Sequence, residues 1–181
     1  MIALAAPLEA PVIIRRCRIG MADQRIAGSV QPYHAAKLLP ADDAETYLRS
    51  CFDASAVLAQ KALRNVLAEL SNYEVKGACI LLASGHELPS LSGILASHAL
   101  IHTAEGEFYR AALRDACECC DIREIGTKER DVAEKAAEAL GRSADNVQSI
   151  VAEFRKVIGP PWTQDEKLSA LAAWLALARC A

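Results

Sequence analysis

The chain has 181 residues, 52% hydrophobic and 24% charged, which supplies a core for one domain and excludes wholesale disorder. Twenty Lys and Arg stand against 23 Asp and Glu, so a net charge of −3 argues against retention on nucleic acid or membrane by bulk charge. Only nine residues are aromatic while alanine is abundant, which favours closely packed helices over an all-β sandwich.

Residues 12–19, Val-Ile-Ile-Arg-Arg-Cys-Arg-Ile, are β-branched with arginines interspersed and predict a strand. Gly20 to Asp23 suits a turn, and Arg25 to Val30 is expected to return as the second strand of a hairpin. The first ten residues, with Pro7 and Glu9 and no basic leader, are expected to be flexible, and no signal peptide is expected. Gln31-Pro32-Tyr33-His34 reads as a loop. Pro40 opens a helix with Asp42, Asp43 and Glu45 in its first turn and an apolar stripe from Tyr47 to Val66, ending near Ser71.

Residues 78–83 are wholly apolar, as in a strand covered on both faces. Pro89 with Ser90 or Ser92 starts a long helix reaching Cys120, followed by a short strand over 122–125. Thr127 is expected to cap a helix that stops at Gly141, and Ser143 to open another that stops at Gly159-Pro160-Pro161. The last helix starts at Thr163, with Glu166 completing a capping box, and carries no charge from Leu168 through Ala178. Strand–helix–strand steps imply a small mixed sheet with an N-terminal β-hairpin and parallel strands covered by helices, in one α/β domain spanning 1–181. No apolar run approaches the roughly 18 residues that span a bilayer.

Seven cysteines, an odd number with no secretion signal, point to a reducing cytoplasm and thiols acting as small hydrophobes. Cys117-Glu118-Cys119-Cys120 contains a C-x-x-C spacing, but at the end of a helix, where the dipole disfavours a thiolate.

The stretch Ala96 to Glu107 is the most informative. At 100° per residue, His98, His102 and Glu105 fall within about 60° of one another on one helix face, which they share with Leu91, Leu95, Tyr109 and Leu113. Ionisable groups in an apolar stripe need partners, because desolvating them alone costs several kcal/mol. Two imidazoles at i and i+4 with a carboxylate three residues on make His98, His102 and Glu105 candidate ligands for a divalent metal, with Zn, Mn, Fe and Mg considered. The same trio is equipped for acid–base catalysis. The bland reading is a buried hydrogen-bonded network. Gly106 within this helix implies a close neighbour. His34 and His86 in loops, Tyr109 on the shared face and Trp162 beside the last helix are candidate substrate-binding residues, and His86 follows the covered strand, where open α/β sheets place ligands. Arg15, Arg16 and Arg18 would suit a phosphate-binding patch, but alternation along a strand splits them between both faces, and they read as a solvated edge.

The order of elements from residue 12 onward resembles a ribonuclease H-like fold of the Holliday-junction resolvase type: an antiparallel ribbon, strand–helix–strand–helix, and a terminal helix with an acid near its start, here Asp165. The stretch ASHALIHTAEGE also resembles a segment of an uncharacterised bacterial protein family with no activity attached. The first resemblance implies phosphodiester hydrolysis with divalent metal ions and assigns Asp165 a catalytic place. The expected carboxylates on the strands are missing, since neither 12–19 nor 78–83 contains Asp or Glu. Two functions follow as expectations. In the first, the chain is a metal-assisted hydrolase of a phosphodiester or similar polar substrate, with Glu105, His98, His102 and Asp165 as catalytic residues. In the second, it is a non-catalytic assembly protein whose trio is structural and whose last helix, with Trp174 and Leu177 off its main stripe, forms a homo-oligomer interface.

Overall fold

The computed structural model describes residues 1–83 and 87–180. The protein is mixed α/β, and the chain forms two compact units, where the sequence shows no boundary. Of the described residues, one unit comprises 1–19, 69–82 and 121–180; the other comprises 20–68, 83 and 87–120.

Among the described residues all four strands lie in the first unit. β1 (Ile2–Ala5) and β2 (Val12–Arg16) are antiparallel, pairing Ile2 with Arg16 and Ala5 with Val12 across an irregularity at Ala3/Leu4. β3 (Ala78–Leu82) and β4 (Glu124–Lys128) are parallel, in register from Ala78 opposite Glu124 to Leu82 opposite Lys128. The expected single mixed sheet is therefore two separate pairs. The last helix of the chain, Gln164–Cys180, packs against both β1 and β3, so side chains rather than a ladder link the two pairs.

The hairpin forms with the preceding segment instead of the following one. Residues 1–10 are accordingly not loose: Ile2 is buried, and the Leu8 and Glu9 carbonyls accept from Trp174 Nε1 (3.0 Å) and Arg142 Nη2 (2.7 Å). The expected return strand over 25–30 is a series of turns. Asp23 accepts from the Arg25 backbone N–H at 3.0 Å and binds its guanidinium, Ser29 Oγ donates to the Asp23 carbonyl, and Gly28 sits at φ +79°. A side chain at Gly28 would also meet Ala35 Cβ at 2.5 Å. An aspartate turn and a left-handed glycine outbid the β-branched pattern here.

The core of this unit lies among three helices, α5 (Val132–Leu140), α6 (Ala144–Ile158) and α7 (Gln164–Cys180), with Val132, Val147, Val151, Trp174 and Leu175 almost fully buried. α5 is preceded by a short 3-10 turn, Glu129–Asp131, and ends at Gly141 in the left-handed conformation. Thr127 does not cap it; Thr127 lies in β4, buried. Ser143 caps α6, accepting from the Asn146 N–H. The capping box of α7 is formed as expected: the Thr163 N–H donates to Glu166 Oε2 (2.7 Å) and the Glu166 N–H to Thr163 Oγ1 (3.3 Å). Glu166 is held below the usual carboxylate range by the Thr163 N–H first, helped by Arg16 and Arg18. Arg16 also donates to the Pro161 carbonyl at 2.7 Å, so this arginine is a tie between β2 and the α7 entry.

The second unit is helical. α1 (Pro32–Ala36) occupies the segment expected to be a loop, with proline in the first turn, where its missing N–H costs nothing. α2 (Ala41–Glu69) matches the expected helix. The expected long helix is two: α3 (Leu91–Ala96) and α4 (His98–Cys119). Ser97 breaks it with extended φ −124° and ψ 119°, and its hydroxyl accepts from the Leu100 N–H. Tyr33, Leu91 and Leu95 pack around Ala36, Ala44 and Leu48, while Phe108 meets the edges of Tyr33 and Phe52. Among the described residues no helix is long and apolar enough to cross a membrane.

Candidate functional site

Three of the chain's four histidines meet on the second unit. His98 opens α4, one residue after the Ser97 break, and His102 follows one turn later on the same face. Their Nε2 atoms lie 3.1 Å apart. The third is His34 on α1, whose ring centroid lies 5.3 Å from that of His98 and 4.9 Å from that of His102. One ring nitrogen from each of the three falls within 4.8 Å of the others. His98 and His102 are exposed and His34 is half-buried, so the cluster opens on solvent.

Glu105 stands behind the rings and is 8% exposed. Its Oε1 lies 2.9 Å from His34 Nδ1 and accepts from the His34 backbone N–H at 3.3 Å. Its Oε2 lies 3.7 Å from His102 Nδ1. The amide it serves is one of those left unpaired at the start of α1, where Gln31 supplies no side-chain cap. Its charge also reaches the phenols around it. Tyr33 and Tyr109 are both raised above the usual tyrosine value, by burial first and then by Glu105.

The sequence trio is thus brought together, but in divided roles. His98 and His102 join His34, the residue read as a loop contact, while Glu105 touches the rings from behind. Tyr109, read as a substrate contact, donates its hydroxyl to the Ser29 and Val30 carbonyls at 2.7 and 3.2 Å and fastens the turn preceding α1. Gly106 does have its close neighbour: a Cβ there would lie 2.7 Å from Arg110 Nη2, which pairs with Glu107. The two tails of the expected common face, Leu91 and Leu95, sit on α3 beyond the Ser97 break. His86 lies outside the described residues.

Asp165 and Trp162 belong to the first unit. Asp165 is exposed in the first turn of α7. Trp162 packs edge-on against Phe154 and donates Nε1–H to the Val151 carbonyl at 3.0 Å, the bond a half-buried indole needs. Trp174 is fully buried within the same unit, its indole bound to the Leu8 carbonyl, so it does not present itself to a partner subunit. The cysteines form no disulfide. At the end of α4 the Cys119 thiol is raised, by desolvation first and then by Asp115 and Glu118, which disfavours the thiolate a redox pair requires.

The cluster offers three imidazole nitrogens with a carboxylate behind them. Imidazoles suit zinc-class ions, whose three-histidine sites leave a coordination position for a substrate. A family-model scan, a search of curated proteins and a search of solved structures each find nothing that matches this chain.

Proposed function

We propose that this chain binds one divalent metal ion through His34, His98 and His102 and uses it in hydrolysis of a polar substrate, a phosphodiester or a related ester. The observation that carries the reading is the convergence of three imidazoles from two helices within 4.8 Å, with the two Nε2 atoms of α4 only 3.1 Å apart. That separation is close to the edge of a tetrahedron drawn at zinc–nitrogen bond length, about 3.3 Å from a bond of about 2.05 Å. The nitrogen set favours Zn²⁺ over Mg²⁺, which takes oxygen ligands. A bound ion supplies Lewis acidity toward a substrate oxygen. The protein's own part is to hold the three rings, to leave the solvent side of His98 and His102 open for a substrate, and to keep Glu105 as acceptor for the His34 ring N–H.

The parallel β3–β4 step supports a ribonuclease H-like architecture. The chemistry of that family is not part of the reading, because it is built on carboxylates and β2 and β3 carry none. Metal analysis of protein purified without a histidine tag, then reloaded with Zn²⁺, Mn²⁺ or Mg²⁺, tests the proposal beside a His98→Ala/His102→Ala variant. Stoichiometric zinc lost in the variant, with zinc-dependent cleavage of bis(4-nitrophenyl) phosphate, is the expected result. No metal after reloading overturns the centre, and bound metal without cleavage of phosphodiester or carboxylic ester overturns the hydrolase.

A further inference from the structure

We infer that Glu105 is the positioning residue of this centre: one buried carboxylate that binds His34 Nδ1, leaving Nε2 of that ring to ligate, and stands beside His102. The inference rests on the metal-binding reading above. Among the described residues Glu105 is the one buried carboxylate, and its hydrogen bonds and ion pairs are with His34 and His102 of the cluster. A carboxylate only accepts, so the 2.9 Å contact to His34 Nδ1 places the ring proton there and leaves Nε2 as the ring's lone pair. The second oxygen lies 3.7 Å from His102 Nδ1, an ion-pair distance too long to fix that ring's tautomer. The 3.1 Å contact between His102 Nε2 and His98 Nε2 holds one proton, supplied by either ring according to its tautomer.

This assignment divides the cluster chemically. His34 already carries the tautomer in which Nε2 ligates, whereas His98 and His102 must release the proton held between their Nε2 atoms before both ligate. Both of these rings are exposed, so that proton exchanges with water. Outer carboxylates of this kind raise ligand basicity and fix ring orientation, and their loss costs about 10- to 100-fold in metal affinity. Glu105 also caps α1, so the same side chain fixes the backbone that delivers His34.

The test is titration of the metal-free protein with Co²⁺ and with Zn²⁺ against a chromophoric chelator, reading both affinity and the visible Co²⁺ spectrum. Glu105→Gln keeps an acceptor near His34 but removes the charge. It is expected to weaken Zn²⁺ binding about 10- to 100-fold and to shift the Co²⁺ bands, with Glu105→Asp recovering part of both. Metal-free variants are compared by circular dichroism. If Glu105→Gln fails to fold, Glu105→Asp decides the matter, with weakening of at least about fivefold supporting the role. A folded variant with wild-type affinity and spectrum overturns the positioning role while leaving the metal centre standing. Failure of the wild-type protein to bind either ion, by contrast, removes the centre itself and the inference with it.

Discussion

Glu105 Oε1 engages a single residue twice, through the backbone N–H of His34 at 3.3 Å and through its Nδ1 at 2.9 Å. The carboxylate belongs to α4 and the histidine to α1, so one side chain both closes the start of a five-residue helix and orients the ring that helix carries. A helix this short has no stability of its own. The tie to α4, the Tyr33 ring on Phe108 and the buried Ala36 hold it in place.

That relationship separates structural from chemical roles within the cluster. In the metal-free protein, His98→Ala and His102→Ala are each expected to change stability by no more than about 0.5 kcal/mol, because both rings are exposed. Glu105→Ala is expected to cost about 1–3 kcal/mol, since it strands an amide and a ring N–H that are out of bulk water. Equilibrium urea unfolding of the three variants checks the contrast. A large loss at His98 or His102 would favour a structural network over a ligand set.

Much of this arrangement was legible in the chain, and what was not has identifiable causes. Helical periodicity placed His98, His102 and Glu105 on one face, because that relation is local and depends only on 3.6 residues per turn. The capping box at Thr163 and Glu166 was equally local. His34 stands 64 residues before His98, and its arrival depends on packing of α1 that no periodicity reports. Pro32 was the available signal, since proline marks a helix's first turn as readily as a loop. The Ser97 break was hidden for a related reason: serine is common at helix starts, but nothing around it interrupts the apolar pattern. The hairpin failed on direction. Val12 to Arg16 needed a partner strand, and Ile2–Ala5 and Arg25–Val30 were both available until the Asp23 turn and Gly28 removed the second.

Ser97 offers a second measurable consequence. Its hydroxyl is the cap of α4, and Ser97→Ala is expected to cost about 1 kcal/mol in urea unfolding, as loss of such a cap does. Ser97→Asp is expected to retain the stability, because aspartate caps equally well and favours the positive end of the helix. Since His98 is the first residue of the helix, the alanine variant should also loosen the proposed centre, read as weaker Zn²⁺ binding than in the aspartate variant.

Glu166 carries a pH dependence whose sign is fixed by its shift. Its folded-state carboxyl lies below the ordinary value, chiefly through the Thr163 N–H, so its contribution is complete above the unfolded-state value and is lost as pH falls through the folded one. The stability deficit of Glu166→Gln relative to wild type should therefore be constant above about pH 5 and shrink below it. Urea midpoints of both proteins between pH 3 and pH 7 measure this. A deficit that stays level down to pH 3 contradicts the assignment.

Thr127 offers the reverse case, a polar group whose removal is expected to help. It is 2% exposed in β4, and its Oγ1 has no hydrogen-bond partner among the described residues. A hydroxyl in that position has lost water without gaining a bond, a cost of about 1–3 kcal/mol. Valine has the same branched shape and suits a strand. Thr127→Val is accordingly expected to leave the fold unchanged and to raise the urea midpoint, by an amount corresponding to about 1 kcal/mol.

Trp174 decides whether the apolar last helix is a core element or a subunit face. Its indole is fully buried between helices of its own unit, and Nε1 donates to the Leu8 carbonyl at 3.0 Å. Trp174→Phe removes that bond and part of the ring, and is expected to cost about 2–3 kcal/mol through the cavity and the stranded carbonyl together. The sedimentation coefficient should not change, because no atom of the indole is available to a second copy. Loss of an oligomer at unchanged stability would instead place Trp174 at an interface and return α7 to the assembly reading.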